Sequence, residues 1–282
     1  SYRMTIYYEN TEREIFDMSD FPVAIEDITP LYGRKWKYDA SDDKMRNRSS
    51  IEQIYKTAAS IKLTLSIFAN SQKEYELCMN KLERITEKDI YAGKEGRLWV
   101  NGYYLECFVL SEDPKDYEEM FYAIQNEIEI VAPHMFWIKE NEFKFETTDD
   151  TSTNNKKNPY KYNYRYANGQ RYRSIINGNY VPSDFLLRVY GPVVNPQVNI
   201  AGCAHTLYSI IEEGEYVEIN SEKRTVIKKR INGTEDNLFH FKGRTIFEKI
   251  PPGRCEVSFG KFNFELIVFE KKGVPPWKQK KS

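Results

Sequence analysis

The stretch YGPVVNPQVNI, residues 190–200, decides the fold class of this chain. Its apolar residues have strand character, but Gly191-Pro192 and Asn195-Pro196 interrupt them, and each proline removes one backbone donor from a sheet. Such a segment fits an edge strand or a bulged strand. Short runs that alternate between apolar and polar residues follow it, a pattern typical of a β-sandwich. No catalytic motif accompanies these runs, so the pattern indicates a structural or binding role.

The carboxyl-terminal part of the chain is predicted to be almost purely β. Strands are predicted over 185–190, 206–211, 216–219 and 225–228. After a turn at 251–253, two further strands place apolar residues on an inward face: Cys255, Val257 and Phe259, then Phe262, Phe264, Leu266 and Val268. Gly260-Lys261 lies between these two strands and predicts a tight hairpin.

The amino-terminal part is predicted to be α+β, with strands dominant. Residues 61–67 alternate as a half-buried strand, and Ser71 with Glu74 forms a capping-box pattern at the start of a helix. The apolar stripe of that helix consists of Tyr75, Cys78, Met79, Leu82 and Ile85. Asn101-Gly102 between apolar runs predicts a hairpin, and a strand is predicted over 121–130.

The composition shifts sharply at Thr147, where a polar segment begins. We therefore predict a first domain over 1–146, a linker or long loop over 147–183, and a second domain over 184–282 with a basic tail. The linker contains interleaved Tyr, Lys and Arg at 160–166, which could stack on nucleobases or sugars. An edge strand or a loop that packs on a partner is the preferred interpretation, because nothing else in the chain supports nucleic-acid binding.

Composition and charge exclude several classes of function. The 282 residues are 40% hydrophobic and rich in Tyr (21) and Phe (16), which favours β structure. The formal net charge is −1, so a general nucleic-acid binder is disfavoured. No apolar run reaches the ~20 residues that cross a bilayer, and no signal peptide is visible, so we expect no membrane insertion. The four cysteines, Cys78, Cys107, Cys203 and Cys255, are expected to be free thiols in a reducing cytosol.

The sequence offers no candidate catalytic, cofactor-binding or metal-binding residues. His134, His205 and His240 are far apart, and none has a ligand or catalytic partner at a recognised spacing. The acidic run at 212–215 is predicted to be a solvated loop. No phosphate-binding loop, nucleophile elbow or zinc-protease motif is present. We therefore predict that the protein is not an enzyme and needs no cofactor.

The order of the carboxyl-terminal elements resembles the phage distal tail protein (Dit) family. The elements that carry the resemblance are 191–198, 214–220, 223–226, Asn232-Gly233 and 250–257. Within them, the motif residues are Gly191, Asn195, Pro196, Gly214, Pro252 and Gly253. Residues 16–28 resemble the family's early strand, so the resemblance covers nearly the full chain. Asn220 stands where the family usually has Asp, and Arg254 stands where it has Asn.

The resemblance implies a fold and an assembly. The first domain would be a tail-tube-like β-sandwich with a packed helix, and the second a galectin-like β-sandwich. Six copies would form a hub ring at the distal end of a tail tube. The expected partners are the tail tube protein, a tail-associated hub, spike or lysin protein, and receptor-binding or peripheral baseplate proteins. The expected location is the tail tip or baseplate of a virion that is assembled in the cytoplasm of a bacterial host.

Two other classes of function stay open at the level of sequence. The first is a carbohydrate-binding module, whose glycan recognition would depend on one concave aromatic patch. The second is a polysaccharide depolymerase, which would need two carboxylates across a cleft. A galectin-like fold does not decide between these alternatives, because function belongs to the site and not to the fold.

Overall fold

The structure is a computed structural model that describes residues 4–33, 36–43, 48–56, 58–112, 123–147, 165–167 and 170–277. The chain divides into two compact units. The first contains Ser1–Lys139 and Lys271–Ser282, and the second contains Glu140–Glu270. Within the predicted linker, residues 148–164 and 168–169 lie outside the described residues, and these include most of the Tyr-rich run at 160–166. Its described part contains strands at Arg165–Ala167 and Gln170–Asn177. The boundaries at 146 and 183 stay a prediction.

The first unit consists of antiparallel strands and one long helix. Its strands are β1 (Ile6–Glu9), β2 (Ile15–Asp17), β3 (Val23–Ile25), β4 (Trp36–Asp43), β5 (Arg48–Lys56), β6 (Ala59–Ile67), β7 (Gly96–Val100), β8 (Tyr103–Ser111) and β9 (Ile124–Ala132), with residues 137–139 of β10 (Trp137–Phe145). A short 3-10 helix spans Thr29–Tyr32, and the helix α1 spans Gln72–Ala92.

Apart from β4 and β5, which pair with each other, the strands of the first unit form two sheets that share β8. One sheet has the order β2-β1-β7-β8-β10, and the other has the order β3-β6-β9-β8. Residues 103–107 of β8 pair with β7, whereas 108–111 pair with β9, so this strand carries the chain from one sheet to the other. The predicted alternation in β6 is confirmed, because Ile61, Leu63 and Leu65 are buried while Lys62 is exposed.

The helix α1 follows the sequence pattern closely. The side chain of Ser71 accepts a hydrogen bond from the backbone N–H of Glu74 at 3.2 Å, which satisfies one free donor of the first turn. Its buried side chains include Tyr75, Met79 and Leu82, as predicted, and they pack into the core of the first unit. The helix ends at Gly93, whose φ of 63° lies in the left-handed region that favours glycine.

The carboxyl-terminal segment of the chain packs on this first unit. The Trp277 ring stacks on the Tyr32 ring, with centroids 3.5 Å apart and planes 8° from parallel. The Pro276 carbonyl accepts hydrogen bonds from the Tyr32 hydroxyl at 3.3 Å and from Asn101 Nδ2 at 2.8 Å. Asn101 itself has a φ of 48° in the predicted β7–β8 turn. The segment therefore returns to the first unit, and only 278–282 of the basic tail lie outside the described residues.

The second unit is a sandwich of antiparallel strands. They are residues 140–145 of β10 together with β11 (Arg165–Ala167), β12 (Gln170–Asn177), β13 (Phe185–Tyr190), β14 (Val193–Val194), β15 (Gln197–Ile200), β16 (Cys203–Thr206), β17 (Ile210–Ile211), β18 (Tyr216–Asn220), β19 (Thr225–Lys229), β20 (Glu235–Asn237), β21 (Gly253–Phe259) and residues 264–270 of β22 (Phe264–Lys272). One sheet has the order β11-β12-β21-β15-β16, and the facing sheet has the order β10-β22-β13-β18-β19-β20.

The predicted hairpin at Gly260-Lys261 is wrong. Strand β21 pairs with β12 and β15, whereas β22 pairs with β13, so the two strands lie in different sheets. Their apolar residues share one core because the sheets face each other, with Val257 and Leu266 both fully buried. The same inward alternation is produced by a hairpin and by a chain that crosses from one sheet to the other, so the pattern alone does not distinguish them.

Other predicted boundaries shift. The strand predicted over 206–211 is divided into the end of β16 and the separate β17, which pairs with β14. The strand predicted over 121–130 is described from Ile124 and extends to Ala132. The predicted class is confirmed: two mainly β units, with α1 packed on the first.

Candidate assembly surface

The first unit carries a β-ribbon formed by β4 and β5. These strands pair with each other over Trp36–Lys56, and in the described part of the chain no other strand pairs with either of them. At the base of the ribbon, the Trp36 ring meets the Phe136 ring edge-on, with centroids 6.3 Å apart. Because an isolated two-stranded hairpin is marginally stable in water, packing against another surface would stabilise the ribbon.

One face of the ribbon is apolar. Tyr38 lies opposite Ile54, and Ala40 lies opposite Ile51. In a regular strand, two residues three positions apart point to opposite faces. Here the pairing is irregular between Asp39 and Ala40, because Glu52 is an extra residue in β5 with no partner in β4. This bulge places Ile51 on the same face of the ribbon as Ile54.

The opposite face of the ribbon is polar. There, Lys37 lies opposite Tyr55, and Asp39 lies opposite Gln53. On the apolar face, Tyr38, Ile51 and Ile54 are 66%, 64% and 61% exposed. A contiguous apolar surface of this kind marks an interaction site. We therefore identify the apolar face as the candidate functional surface.

The sequence patterns did not predict this ribbon. A usable signal exists in the alternation of aromatic and charged residues over 36–39 and in the apolar pair Ile51 and Ile54. The polar residues at 41–50 interrupt the alternation, and the three-residue spacing of Ile51 and Ile54 does not fit a regular strand.

The predicted motif residues Gly191, Asn195, Pro196 and Gly214 lie in the second unit, near β14 and β17. A Cβ atom at Gly191 would lie 1.9 Å from the Glu212 carbonyl oxygen, so no other residue fits there without a backbone shift. Asn195 has a φ of 48° and Gly214 a φ of 79°. This placement supports a role in shaping turns.

The other two motif residues, Pro252 and Gly253, lie apart from this group. Gly253 begins β21 with a φ of 86°. Nearby, Asn177 Nδ2 donates to the carbonyl oxygens of Ile250 and Pro251 at 3.1 Å each. The amide therefore fixes the turn that leads into β21.

A polar cleft of about 350 Å³ lies beside β14 and β15 in the second unit. Its polar lining includes Asn195, Gln197, Asn199 and Lys261, side chains that could hydrogen-bond to a sugar. Its aromatic residues are Phe259 and Phe262, and both are buried. Neither ring offers a free face on which a sugar could stack.

The acidic run at 212–215 is only partly solvated. Glu212 and Glu213 are exposed, as predicted, but Glu215 is buried. Its carboxylate lies 3.4 Å from the buried ammonium of Lys228, which also donates a 2.8 Å hydrogen bond to the Ile210 carbonyl. The prediction of a fully solvated loop is therefore wrong at Glu215. The sequence did not reveal this, because the partner cation Lys228 lies on β19, which is distant from Glu215 along the chain.

In each unit, one buried titratable side chain makes hydrogen bonds that serve the local structure. In the first unit, the Asp89 carboxylate accepts hydrogen bonds from the Tyr8 hydroxyl at 2.5 Å and from Thr11 Oγ1 at 2.6 Å. This contact joins β1 to α1, and burial raises the pKa of Tyr8. In the second unit, the buried His205 ring bonds to the Glu248 carbonyl at 2.9 Å, and burial lowers its pKa.

Two kinds of site are absent from the described residues, a metal-binding cluster and a membrane-spanning helix. Among these residues, no three His, Cys, Asp or Glu side chains come together in an arrangement that could hold a metal ion. Within the same residues, no helix combines the length and the apolar character that crossing a bilayer requires. Cys107 and Cys255 are buried free thiols, as predicted, while Cys78 and Cys203 are partly exposed.

The fold and the surface together define the class of this protein: a chain of two β-sandwiches, the first with one packed helix and an apolar ribbon. No protein-family model matches the chain, and no curated protein matches its sequence. Solved structures do match, at low sequence identity and over nearly the full length.

One similar structure is the Dit protein (gp 19.1) of phage SPP1, described as a paradigm of the hub adsorption apparatus in phages that infect Gram-positive bacteria. The match covers 95% of this chain and 99% of that one, with 7% identity and a TM-score of 0.57. Chains of the phage p2 baseplate, in its activated conformation with Sr or with Ca, match over 96% of this chain and 99% of theirs. Their identity is 14% and their TM-score 0.61. The predicted resemblance to distal tail proteins is thus confirmed at the level of the fold.

Proposed function

We propose that this protein is a structural component of a phage or phage-tail-like particle. Six copies form a hub ring at the distal end of the tail tube, at the tail tip or baseplate. The first unit joins the tube, and the second unit docks the receptor-binding or peripheral baseplate proteins. A tail-associated hub, spike or lysin protein is the expected partner on the far side of the ring. The protein acts through geometry and makes or breaks no covalent bond.

The observation that carries this proposal is the apolar face of the ribbon. Tyr38, Ile51 and Ile54 are exposed on a pair of strands that has no third strand against it in the described structure. An apolar ribbon face supports assembly, because its burial against another protein surface removes apolar area from water. The full-length match to the SPP1 hub protein supports the kind of assembly in which that burial occurs.

The charge of the protein is compatible with many copies in one ring. The chain carries 41 Lys and Arg residues against 42 Asp and Glu residues. Copies of a nearly neutral chain approach each other without strong mutual repulsion. Obligate interfaces of such rings bury about 2,000 Å² or more, and the ribbon face supplies the apolar centre that such interfaces have.

The experiment that tests this function is electron cryo-microscopy of assembled particles in which this chain carries a carboxyl-terminal tag. Density for the tag at the distal end of the tail tube, repeated around the tail axis, is the expected result. A tag found in the capsid, along the whole tube or in no particle would contradict the proposal.

A carbohydrate-binding module is the second candidate, and the polar cleft beside β14 is where it would bind. The four polar side chains of the cleft favour it, but the buried rings of Phe259 and Phe262 do not. Glycan-array binding that is lost when Gln197 is replaced by Ala would favour this candidate over the hub.

A further inference from the structure

The segment at residues 273–277 lies against the first unit, and we call it the strap. Its Trp277 ring stacks on Tyr32 with ring centroids 3.5 Å apart. The Pro276 carbonyl accepts hydrogen bonds from the Tyr32 hydroxyl at 3.3 Å and from Asn101 Nδ2 at 2.8 Å. Because a carbonyl oxygen has two lone pairs, both of its acceptor sites are used.

Asn101 also binds the backbone just before β1. Its N–H donates to the Thr5 carbonyl and its Oδ1 accepts from the Thr5 N–H, each at 3.0 Å. Strand β1 pairs with β7 from Ile6, which lies opposite Val100, so these two bonds extend the pairing by one residue. Asn101 is only 5% exposed, so water has little access to replace a lost partner of its amide.

The orientation of the Asn101 amide is fixed from both sides. Its Oδ1 must face the Thr5 N–H, because an NH2 group there would place two donors against each other. Its Nδ2 then points to the Pro276 carbonyl, where an oxygen would meet another oxygen. One planar group therefore needs both segments in place, and the loss of either segment leaves a buried polar atom without its partner.

The strap is more exposed than the strands beside it. The Trp277 side chain is 59% exposed although it stacks on Tyr32, whereas Ile6 and Val100 are 2% and 0% exposed. Segments with exposed contacts open locally at a lower free-energy cost than core strands do. We therefore expect the strap to open before β1 and β7 separate.

We propose that the strap controls the order of the backbone that leads into β1. When the strap lies on Tyr32 and Asn101, it holds the Thr5 backbone in place through the Asn101 amide. When the strap opens, the Thr5 backbone loosens. The coupling is reciprocal, because two segments that stabilise each other through one group do so by the same free energy in both directions. The proposal concerns the first unit alone and does not depend on the hub ring.

Hydrogen–deuterium exchange of the full-length chain measures this coupling, with mass spectrometry that resolves single amides. Trp277→Ala removes the aromatic stack but leaves Asn101 and Thr5 unchanged. We expect the Val274 amide of the strap to exchange at least about fivefold faster, and the Thr5 amide at least about threefold faster. The helix α1 is the internal reference and should exchange as it does in the unmodified chain.

A second variant breaks the contact at the amide itself. Asn101→Asp keeps an oxygen toward the Thr5 N–H but replaces the donor with an oxygen that faces the Pro276 carbonyl. Exchange in the strap should rise at least about tenfold, because a hydrogen bond is replaced by a repulsive contact. Asn80→Asp is the matched control, since it makes the same chemical change at an exposed position of α1. It should change exchange in both segments by less than about twofold.

Each pattern of exchange decides the proposal. Faster exchange in the strap and at Thr5, with α1 unchanged, supports it. If Trp277→Ala speeds exchange in the strap but not at Thr5, the two segments are not coupled and the proposal is wrong. It is equally wrong if the strap exchanges at its original rate in both variants, because these contacts then do not hold it. Faster exchange throughout the first unit, including α1, would show that the strap does not open separately, and would also overturn the proposal.

Discussion

The replacement of Ile54 by Ser tests the role of the ribbon most sharply. Full burial of an Ile side chain is worth about 1.5–3 kcal/mol. Because 61% of Ile54 is still exposed, its burial in an interface would add about 1–2 kcal/mol to each contact. Ser removes nearly all of this gain, so we expect each interface to weaken about five- to thirtyfold.

Sedimentation velocity over a range of concentrations measures this change, and the ribbon supplies its own control. Gln53 is the neighbour of Ile54 but lies on the polar face, opposite Asp39. Gln53→Ser should leave assembly unchanged. Both variants should keep the free energy of unfolding within about 0.5 kcal/mol of the unmodified chain, because both residues are exposed. Equal assembly of Ile54→Ser and the unmodified chain, or equal weakening by both variants, would refute the reasoning.

Three further predictions concern the second unit. Gly191→Ala should lower the free energy of unfolding by about 3 kcal/mol in urea unfolding, because the new Cβ meets the Glu212 carbonyl. Gly178→Ala is the control and should be nearly neutral, because a Cβ added there contacts nothing within 4 Å. Lys228→Met should cost about 3–5 kcal/mol by leaving the Glu215 carboxylate buried without its cation, and adding Glu215→Gln should recover most of the loss in the same assay. Burial lowers the pKa of His205, so as the pH falls through 6.5 the unfolded chain takes up this proton before the folded chain does. The free energy of unfolding should therefore fall as the pH drops below 6.5, by at most about 1.4 kcal/mol per pH unit for this proton. Unfolding titrations from pH 7.5 to 5 measure this slope, and His205→Gln should remove the part of it that comes from His205.

Local patterns predicted much of the fold. The helix α1, its cap at Ser71 and its buried stripe follow from spacing, since each depends on residues within one or two turns. The β7–β8 turn follows from Asn101-Gly102 for the same reason, because both residues accept positive φ. Features of this kind need no knowledge of distant parts of the chain.

The errors occurred where a distant partner decides the structure. Whether β21 and β22 pair with each other depends on β12, β13 and β15, none of which adjoins the Gly260-Lys261 turn. Glu215 is buried because Lys228 neutralises it from another strand. The apolar face of the ribbon depends on an irregular register at Asp39, which alternation along a single strand does not reveal.

The candidate surface was therefore not predicted from the residues, although the kind of assembly was predicted from the resemblance. The motif residues that carried the resemblance, such as Gly191 and Gly214, lie in turns of the second unit. The exposed apolar surface that supports assembly lies in the first unit, on β4 and β5. Backbone requirements leave a clear mark in a sequence, whereas the exposure of an apolar face becomes visible only when the strands around it are known.

The mass of the purified full-length chain in solution tests the central proposal most directly. One copy has a mass of 33.4 kDa, so a ring of six copies has a mass of about 200 kDa. We expect native mass spectrometry at high protein concentration to give the six-copy mass, with negative-stain images of closed rings from the same sample. A mass that stays at one copy at every concentration, or an open series of oligomers with no closed ring, would contradict the proposal.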